Sequence, residues 1–499
     1  MPARLSKHSL KVLFVTSEVY PLCKTGGLGD VSAALPASLR EQQVDVRILI
    51  PGYPQVLEGL RYKRKVAEFN ELTHFPPAKL LSANLQINAS TSIPVFIIDC
   101  PSLYQRTGGP YLDTTGHDWP DNAQRFGLLS KMGALLGSDA SPLTWQPDVV
   151  HCNDWQSGLT PAYLHFHRGS KSPTLMSIHN LAFQGCFPSE LVVQLGLPSE
   201  SYSIQGVEYY GSLSFIKAGL YYADHISTVS PSYAHEIQQE QLGFGLHGLL
   251  SARKEQISGI VNGIDTIEWD PSSDIHIAKK YSIRRLSNKQ ANKLAIQQKL
   301  GLEPRSDQLL FAAISRFSYQ KGYDLLFEVA PKLLELPAQL AVLGAGDVSI
   351  EKNLVQLAKQ FPGRMVVHVG YEEALSHQLE AGADSFLMPS RFEPCGLNQM
   401  YSQHYGTIPL VHATGGLIDT VVDYSPETLK NGTASGFQFH DLSPDAFFEG
   451  IKRVAAAYQN KGLWEQLQKN GMRKDFSWKT SAAAYCNIYQ MLINRNTNS

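Results

Sequence analysis

Two glycine-containing segments place reactive side chains where predicted strands end. Pro389–Asn398, which reads PSRFEPCGLN, carries Glu393 and Cys395 after a strand that ends near Pro389. Lys24–Asp30, which reads KTGGLGD, follows a predicted strand over Val12–Thr16. Helices predicted to begin at Cys395 and near Val31 would direct open N–H donors and partial positive charge at these turns. Each turn could hold an anionic or oxygen-rich ligand, and together they predict a ligand held between two domains.

Glu393 and Cys395 each allow two interpretations. A carboxylate at position 393 suits a helix N-cap as well as it suits a polyol ligand. A lone cysteine is most often a small packing residue. At a helix N-terminus, however, the pKa of the Cys395 thiol would be lowered, which would make the thiol reactive.

Arg316 and Lys321 form a cationic pair, five residues apart, after a predicted strand over Leu309–Ser315. A planar guanidinium fork and a compact ammonium suit a diphosphate. A solvated basic loop is the alternative. The strand end before Arg316 and the glycine after Lys321 favour the binding role.

Two polar clusters follow neighbouring apolar runs. They are His151–Trp155 (HCNDW) and Ser177–Asn180 (SIHN). A histidine at a strand end is often only hydrogen-bonded to backbone, but two clusters at neighbouring ends favour a shared pocket. Gly344–Asp347 has part of a dinucleotide fingerprint without its third glycine, which indicates a tight turn and disfavours a nicotinamide dehydrogenase.

The elements that must position these residues alternate between strands and helices, which predicts parallel α/β architecture in two doubly wound domains. Polar Ser282–Gln298 is expected to form a helix of the second domain, after a boundary within Glu255–Asp265. Such sheets bind ligands at the carboxyl ends of their strands. The remaining predicted strands are Val44–Ile50, Val95–Asp99, Val149–Cys152, Thr174–Ile178, His225–Val229, Gln339–Leu343, Met365–Val369, Ser385–Met388 and Ile408–Val411.

Bulk composition excludes several classes of function. With 499 residues, 43% of them hydrophobic and 18% charged, the chain predicts a soluble protein of at least two domains. A net charge of −2 gives no electrostatic case for nucleic acid as a partner. No apolar run approaches the roughly 20 residues that span a bilayer, so no membrane partner is expected. The sequence carries no signal for an oligomeric state.

The six cysteines are scattered and form no CxxC pair. This pattern favours free thiols in a reducing cytoplasm and argues against a structural zinc site. We therefore expect a cytoplasmic protein.

Taken in order, the motifs resemble the bacterial glycogen synthases and plant starch synthases. Lys24–Asp30 and Ser390–Leu397 are similar to signatures of that family, and further matching segments extend the resemblance from about residue 11 to about residue 490. Those segments are His151–Trp155, Ile178–Ala182, Lys217–Asp224, Val261–Asp265, Thr414–Leu417 and Phe476–Trp478.

The resemblance implies the GT-B fold, in which two Rossmann-like doubly wound domains face each other across a deep cleft. Residues 1–262 would form the glucan acceptor domain, 263–475 the donor domain, and 476–499 a helix that crosses back to the first domain. The implied reaction is glucosyl transfer from ADP-glucose to the non-reducing end of an α-1,4-glucan, with retained configuration and release of ADP. It implies no cofactor and no metal, because ADP-glucose is a co-substrate.

The resemblance also implies roles for individual residues. Lys24, Gly26 and Gly27 would contact the sugar diphosphate, and Arg316 and Lys321 would neutralise the leaving diphosphate. Glu393 would hold glucosyl hydroxyls, and His179 and Asp154 would line the sugar pocket, where an oxocarbenium-like centre forms. The other implied substrate contacts are Asn262, Cys395, Gly396, Leu397, Thr414, Gly415 and Gly416, with Tyr371 stacking on adenine and with Tyr111 and Glu18 on the acceptor or sugar side.

The chain departs from the wider pattern at two positions. Many retaining relatives carry a second glutamate eight residues after the first, where this chain has Tyr401. That removes a two-carboxylate double displacement from this loop and favours front-face attack assisted by the leaving phosphate. The second departure is Asn398, where relatives often have threonine; an amide there can still donate to phosphate.

Three alternatives stay open at this point. A related GT-B enzyme could use UDP-glucose or make another glucan. A non-catalytic glucan-binding relative would have no need for Lys24, Arg316, Lys321 and Glu393 together. A phosphorylase would need a pyridoxal-phosphate lysine, and none can be recognised from local sequence.

Overall fold

The computed structural model describes residues 9–87 and 91–497 and divides the chain into two compact units. The first unit runs to residue 229, resumes over residues 234–260 and takes in the chain from residue 478 onward. The second unit comprises Ser230–Tyr233 and Val261–Ser477. Residues 1–8 of the predicted first domain and 498–499 of the predicted C-terminal helix lie outside the described residues.

The first unit is built on twelve strands within the described part of the chain. They are β1 (Lys11–Val15), β2 (Asp45–Pro51), β3 (Arg64–Phe69), β4 (Ala78–Gln86), β5 (Ser92–Asp99), β6 (Val149–Asn153), β7 (Thr174–Ile178), β8 (Cys186–Pro188), β9 (Glu208–Tyr209), β10 (Ser212–Ser214), β11 (His225–Thr228) and β12 (Ile257–Gly259). Nine of them form one sheet in the order β12-β11-β7-β6-β1-β2-β5-β4-β3. Pairing is parallel from β12 to β5, and β4 pairs antiparallel with both β5 and β3. The other three form a small antiparallel sheet, β8-β10-β9.

Helices connect these strands as the α/β alternation predicts. They are α1 (Gly27–Glu41), α2 (Pro54–Gly59), α3 (Pro101–Tyr104), α4 (Asn122–Leu136), α5 (Leu159–His165), α6 (Leu191–Gln194), α7 (Phe215–Tyr222), α8 (Pro231–Glu236) and α9 (His247–Ala252), with 3-10 turns at Trp155–Ser157, Ser199–Ser201 and Lys254–Gln256. Strands β6 and β7 are buried along their whole length. A parallel strand covered on both faces has this continuous burial.

The second unit has one parallel sheet of six strands in the order β15-β14-β13-β16-β17-β18. The strands are β13 (Leu309–Ile314), β14 (Ala338–Gly344), β15 (Met365–Val369), β16 (Ser385–Met388), β17 (Ile408–His412) and β18 (Phe437–Phe439). Alternate residues of β13 enter two separate apolar clusters: Phe311 packs with one and Leu310 with the other. Both faces of this sheet are therefore covered, as in a Rossmann-like domain.

The helices of the second unit follow the same alternation. They are α10 (Lys289–Leu300), α11 (Tyr323–Glu335), α12 (Val348–Ala358), α13 (Glu373–Gly382), α14 (Asn398–His404), α15 (Gly415–Thr420), α16 (Pro426–Lys430), α17 (Pro444–Tyr458) and α18 (Lys461–Met472), with 3-10 turns at Leu286–Asn288 and Tyr319–Lys321. The last helix, α19 (Trp478–Thr497), belongs to the first unit, where the Tyr489 hydroxyl lies 2.8 Å from His151 Nδ1. No helix of the described residues is both long and apolar enough to cross a bilayer.

In each of the two large sheets, the order in which the chain adds strands reverses at one point. In the first unit the chain builds outward from β1 through β2 and then returns to place β6 on the other side of β1. In the second unit β13 and β16 flank the same kind of switch. Loops after such strands diverge at the carboxyl edge of the sheet and leave a crevice for a ligand. The candidate residues after β1, β6, β13 and β16 therefore lie at the two switch points.

Local predictions were wrong at three helix starts. The helix expected to begin near Val31 is α1, which begins at Gly27. The helix expected over Ser282–Gln298 is α10, which begins at Lys289 after a 3-10 turn. The helix expected at Cys395 is α14, which begins at Asn398, so residues 395–397 belong to the preceding turn. Strands β3 and β4, which extend the first sheet, were not predicted.

Candidate active site

A buried ion pair occupies the switch point of the second unit. Lys321 Nζ lies 2.5 Å from Glu393 Oε2, and the Ser390 hydroxyl donates to the same oxygen at 3.0 Å. The two charged side chains are 17% and 7% exposed. Because Glu393 faces Lys321, and because the cap residue of α14 is Leu397 with no side-chain cap, the N-cap interpretation of Glu393 is wrong.

Hydrogen bonds that involve the backbone connect the loop after β13 to the loop after β16. The Arg391 amide donates to Gln320 O at 2.8 Å, and Gln320 Nε2 donates to Phe392 O at 3.2 Å. Gly322 has φ +71°, and a β-carbon there would lie 2.0 Å from Pro389 O. Only glycine permits this approach, so the glycine after Lys321 brings the ammonium to Glu393.

Two arginines of this region differ in their availability. Arg391 makes a two-pronged ion pair with Asp324 at 2.6 and 2.7 Å and covers the Tyr319 ring at 3.5 Å. Arg316 is exposed, and its guanidinium has no hydrogen bond or ion pair to any described residue. An exposed guanidinium beside a switch point is suited to receive an anion.

Cys395 is a packing residue in this structure. It is 6% exposed, the Asn262 amide donates to its sulfur, and burial raises the pKa of its thiol to about 12. The expectation of a lowered pKa is wrong because α14 begins three residues later, so the thiol gains burial and no helix terminus. Asn262 itself is 7% exposed, and its Oδ1 is buried without a partner among the described residues.

The segment Thr414–Gly416 packs against the Glu393 loop. The Gly416 amide donates to Glu393 O at 3.0 Å, and a β-carbon on Gly416 would lie 2.2 Å from Cys395 O. Thr414 and both glycines are buried, whereas Gly396 and Leu397 are half-buried in the loop itself. The double glycine therefore supports the backbone that carries Glu393.

Tyr371 follows β15 and is 67% exposed. Its hydroxyl donates to Glu373 Oε2 at 2.9 Å, which leaves the ring face at the surface. Tyr371 is therefore a surface residue and not part of a hydrophobic core. Tyr401, at the position of the missing second glutamate, stacks on Trp269 at 4.0 Å, and Asn398 Nδ2 donates to Ile314 O at 2.6 Å.

In the first unit a buried carboxylate organises the glycine loop after β1. Glu18 is 3% exposed and accepts hydrogen bonds from the Thr25 amide, the Gly26 amide at 3.2 Å and the Tyr111 hydroxyl at 2.5 Å. Burial raises the pKa of Glu18. The predicted residues Glu18, Gly26 and Tyr111 thus belong to one hydrogen-bonded group. Glu18 holds the loop in place, and Tyr111 holds Glu18.

Lys24 projects from that loop and is exposed. Its ammonium lies 2.8 Å from Asp30 Oδ1, within the first turn of α1. Gly26 is the cap residue of α1, and Gly27 is its first residue. A cation and the N-terminus of a 15-residue helix therefore occupy the same turn.

Asp154 and His179 come together at the ends of β6 and β7. Asp154 has φ +52°, and its Oδ1 accepts the His179 amide at 2.7 Å and the Asn180 amide at 3.4 Å. Burial raises the pKa of Asp154 to about 7. A non-glycine residue at positive φ is uncommon, and here two backbone donors hold it in place.

The tautomer of His179 follows from its neighbour. Asn153 Nδ2 donates to Val15 O at 3.1 Å, so Asn153 Oδ1 faces His179 Nε2 at 3.0 Å and accepts a hydrogen bond from the ring N–H. Burial lowers the pKa of His179 to about 4, so the ring is neutral. Its Nδ1 is left as an acceptor for a ligand hydroxyl.

The predicted residues thus form two groups. In the second unit Arg316, Lys321, Glu393 and the Asn262–Cys395 contact lie around one switch point, and Tyr371 lies at the end of β15. In the first unit Glu18, Tyr111 and the Lys24 loop form one cluster, and Asp154 with His179 forms another. Sequence reasoning missed the roles of Ser390 and Asn153, which hold Glu393 and His179. A polar residue three positions before Glu393 was a signal for the first of these.

Comparison with known proteins shows the family of the chain. Residues 11–252 match the family described as starch synthase catalytic domain, and residues 295–473 match glycosyl transferases group 1. A glycogen synthase of Nitrosomonas europaea is 65% identical over 99% of this chain and 100% of its own, and one of Nitrosomonas eutropha is 64% identical over 99% of both. A glycogen synthase of Dechloromonas aromatica is 52% identical over 97% of this chain and 99% of its own.

Solved structures show the same fold. The catalytic domain of starch synthase IV from Arabidopsis thaliana, bound to ADP and acarbose, has a TM-score of 0.85 and 28% identity, covering 98% of this chain and 100% of its own. A sucrose-phosphate synthase of Thermosynechococcus elongatus, at 15% identity and a TM-score of 0.59, shares the fold. The prediction of two Rossmann-like domains in the GT-B fold is confirmed. The chain therefore belongs to the glycogen synthase family, the glycosyltransferases that carry out glucosyl transfer in glycogen synthesis.

Proposed function

We propose that this glycosyltransferase uses ADP-glucose as its donor and extends the non-reducing end of an α-1,4-glucan with retained anomeric configuration. The observation that carries the proposal is the Lys321–Glu393 pair at the switch point of the second unit, with the exposed Arg316 beside it in sequence. These groups supply a cation for a leaving diphosphate and a carboxylate for sugar hydroxyls within one loop pair.

The leaving group explains the need for two cations. When the bond between glucose C1 and the diphosphate oxygen breaks, both electrons leave with ADP and its negative charge increases. Arg316 and Lys321 would stabilise that charge more strongly in the transition state than in the ground state. Lys24 and the Gly26–Gly27 turn stay predicted contacts of the same diphosphate. No metal ion or other cofactor has a role in this proposal.

The choice between adenine and uracil rests on Tyr371. An exposed ring at a strand end offers a stacking surface, and a purine covers more of it than a pyrimidine does. The starch synthase IV structure contains ADP, which supports the adenine nucleotide. The alternative, a donor such as UDP-glucose, is tested by the experiment below.

Retention requires that the new bond form on the face from which ADP departs. The second carboxylate of a double displacement is replaced by Tyr401, whose ring stacks on Trp269. We therefore infer front-face attack, in which the acceptor 4-hydroxyl bonds to C1 and its proton passes to the departing phosphate oxygen. Neutral His179 would accept a hydroxyl hydrogen bond of the sugar through Nδ1.

The free thiols support a cytoplasmic location. All six cysteines are free, and five of them are at least half-buried. Free thiols suit a reducing cytoplasm, which is where we place the reaction.

The test is incorporation of labelled glucose into glycogen by the purified protein. ADP-glucose and UDP-glucose are compared at equal concentration, and wild type is compared with Glu393→Ala and Glu393→Gln. We expect incorporation from ADP-glucose, at least tenfold less from UDP-glucose, and a loss of more than 100-fold in both variants. Proton NMR of the product formed on a short maltooligosaccharide reports the configuration.

A matched control uses an acidic residue of the same unit that lies in an exposed ion pair. Glu372 pairs with Lys299 at 3.4 Å, and both side chains are 44% exposed. Glu372→Gln should retain wild-type incorporation. Preference for UDP-glucose would overturn the proposed donor, and full activity of Glu393→Gln would overturn the proposed role of the carboxylate.

A further inference from the structure

Three potential metal ligands converge in the second unit at a place the proposed reaction does not use. A ring nitrogen of His377 and one carboxylate oxygen each of Glu268 and Glu373 lie within 4.8 Å of one another. Donor atoms that share one divalent ion are held a few ångströms apart in this way. We propose that these residues form a binding site for a divalent transition-metal ion of the zinc class.

The sequence places two of the ligands on one helix face. Glu373 is the first residue of α13 and His377 follows one turn later, four positions on. Side chains at i and i+4 lie above one another on a helix, which is the spacing that metal-binding helices use. Glu373 is half-buried, so it lies between the buried His377 and the surface.

The third ligand comes from the segment that precedes α10. Glu268 is exposed, and its amide donates to Asp265 Oδ1 at 3.0 Å, which fixes the turn. The next residue, Trp269, stacks face to face on the His377 ring at 3.7 Å with an interplanar angle of 15°. This stacking holds the Glu268 turn against α13, so an ion here would join the two segments.

The strongest argument is the hydrogen bonding of His377. Its Nδ1 lies 2.8 Å from Asp274 Oδ2, and the carboxylate also accepts from the Tyr405 hydroxyl at 2.6 Å and from the His276 amide at 2.7 Å. A carboxylate only accepts, so Nδ1 carries the proton and Nε2 carries the lone pair. Metal-binding histidines are oriented by the same kind of carboxylate behind the ring.

The Nε2 atom is left without a protein partner. His377 is 0% exposed, and Nε2 has no hydrogen bond to any described residue. A buried nitrogen lone pair without a donor is unfavourable, because water cannot reach it and no protein group replaces the water. A bound cation would satisfy this lone pair and would neutralise the two carboxylates at the same time.

The donor set points to the type of ion. One imidazole and two carboxylates suit Zn²⁺, which binds nitrogen at about 2.0–2.1 Å and carboxylate oxygen at about 2.0–2.2 Å and takes a fourth ligand from water. A purely oxygen-ligated ion such as Ca²⁺ or Mg²⁺ would have no use for the imidazole. Tyr371 donates to Glu373, so the site adjoins the ring that we assign to the adenine.

The experiment titrates Zn²⁺ into tag-free full-length protein against a chromophoric chelator. Co²⁺ serves as a spectroscopic substitute whose visible absorption reports nitrogen and oxygen coordination. The titration is done in a Cys186→Ser background, because Cys186 is an exposed thiol that can bind metal itself. We expect one ion per chain, with affinity reduced more than tenfold by Glu268→Gln and by Glu373→Gln.

Two further variants separate coordination from general electrostatics. Glu372→Gln removes a neighbouring charge of similar exposure and should leave the affinity unchanged within twofold. Asp274→Asn removes the carboxylate behind the ring and should weaken binding about 10- to 100-fold. Absence of stoichiometric Zn²⁺ binding by the parent protein, or equal affinity in the Glu268, Glu373 and Glu372 variants, would overturn the site. Neither result bears on glucosyl transfer, which is measured separately with the donor.

Discussion

Lys321 and Glu393 neutralise each other at 2.5 Å while both remain largely buried, so removal of either charge leaves the other buried without its counterion. The pair joins the loop after β13 to the loop after β16. It therefore links stability and activity in one contact, and the two contributions can be separated by mutation.

Lys321→Ala should lower both the stability of the protein and its activity. The buried carboxylate loses its counterion, which costs about 3 kcal/mol in the free energy of unfolding, and kcat/KM should fall at least 100-fold. The double variant Lys321→Met/Glu393→Gln should recover most of the stability and none of the activity. Urea unfolding and glucose incorporation measure the two effects.

Lys299→Ala is the control for this prediction. It removes an exposed ion pair with Glu372 and should change stability by at most about 0.5 kcal/mol. If the double variant were as unstable as Lys321→Ala, the pair would not be the source of the loss.

Tyr371→Ala should weaken donor binding with little change in kcat. Stacking of a base on an aromatic ring contributes about 1–3 kcal/mol, so KM for ADP-glucose should rise roughly 5- to 150-fold. Tyr371→Phe keeps the ring, loses the bond to Glu373 and should stay within about twofold of wild type. Equal defects in both variants would assign the effect to the hydroxyl and would contradict stacking. Steady-state kinetics at saturating glucan measure KM and kcat for both variants.

Most of the fold could be predicted from the sequence because buried parallel strands are continuous apolar runs. Thr174–Ile178, Met365–Val369 and Ser385–Met388 were predicted with their observed bounds. Strands β3 and β4 were not predicted because they form the antiparallel end of the first sheet, where exposed and buried residues are mixed. Antiparallel strands with one exposed face lack the continuous apolar run that marks a buried parallel strand.

Several of the predicted residues lie together in the structure, but their contacts could not be predicted from the sequence. The position of Glu393 at a strand end could be predicted from the sequence. Its pairing with Lys321 could not, because it depends on how the Gly322 turn approaches Pro389, which is a tertiary contact. For Cys395 the packing interpretation is confirmed, whereas the lowered thiol pKa was wrong for a related reason. Its burial depends on Asn262 and on the Gly416 turn, which are distant in sequence, and on a helix start three residues later than expected.

Gly416→Ala should impair the enzyme through the backbone. The added β-carbon would lie 2.2 Å from Cys395 O, so the loop that carries Glu393 must move. We expect a loss of about 1–3 kcal/mol in stability and a fall in kcat of at least tenfold. Gly248→Ala is the matched control, because a β-carbon there meets nothing within 4 Å and lies in helix α9. A normal kcat for Gly416→Ala would contradict the supporting role of the double glycine.

Asp154 should give the stability of the protein a distinct pH dependence. Burial raises the pKa of Asp154 to about 7, whereas an unfolded aspartate titrates near ~3.9. The folded state therefore holds a proton that the unfolded state has released between these values. The stabilising contribution is fully present below pH ~4 and is lost as the pH rises through about 7.

Asp154→Asn should remove this dependence while it keeps the loop. The asparagine amide oxygen still accepts the His179 amide, and asparagine tolerates the φ of +52° at this position. Above pH ~7 the variant should therefore be more stable than wild type, on the order of 3 kcal/mol, and the difference should shrink steadily toward pH ~4. Urea unfolding at several pH values measures it. Asp445→Asn, an exposed residue, controls for loss of charge. A difference between Asp154→Asn and wild type that stays constant between pH ~4 and ~7 would contradict the raised pKa.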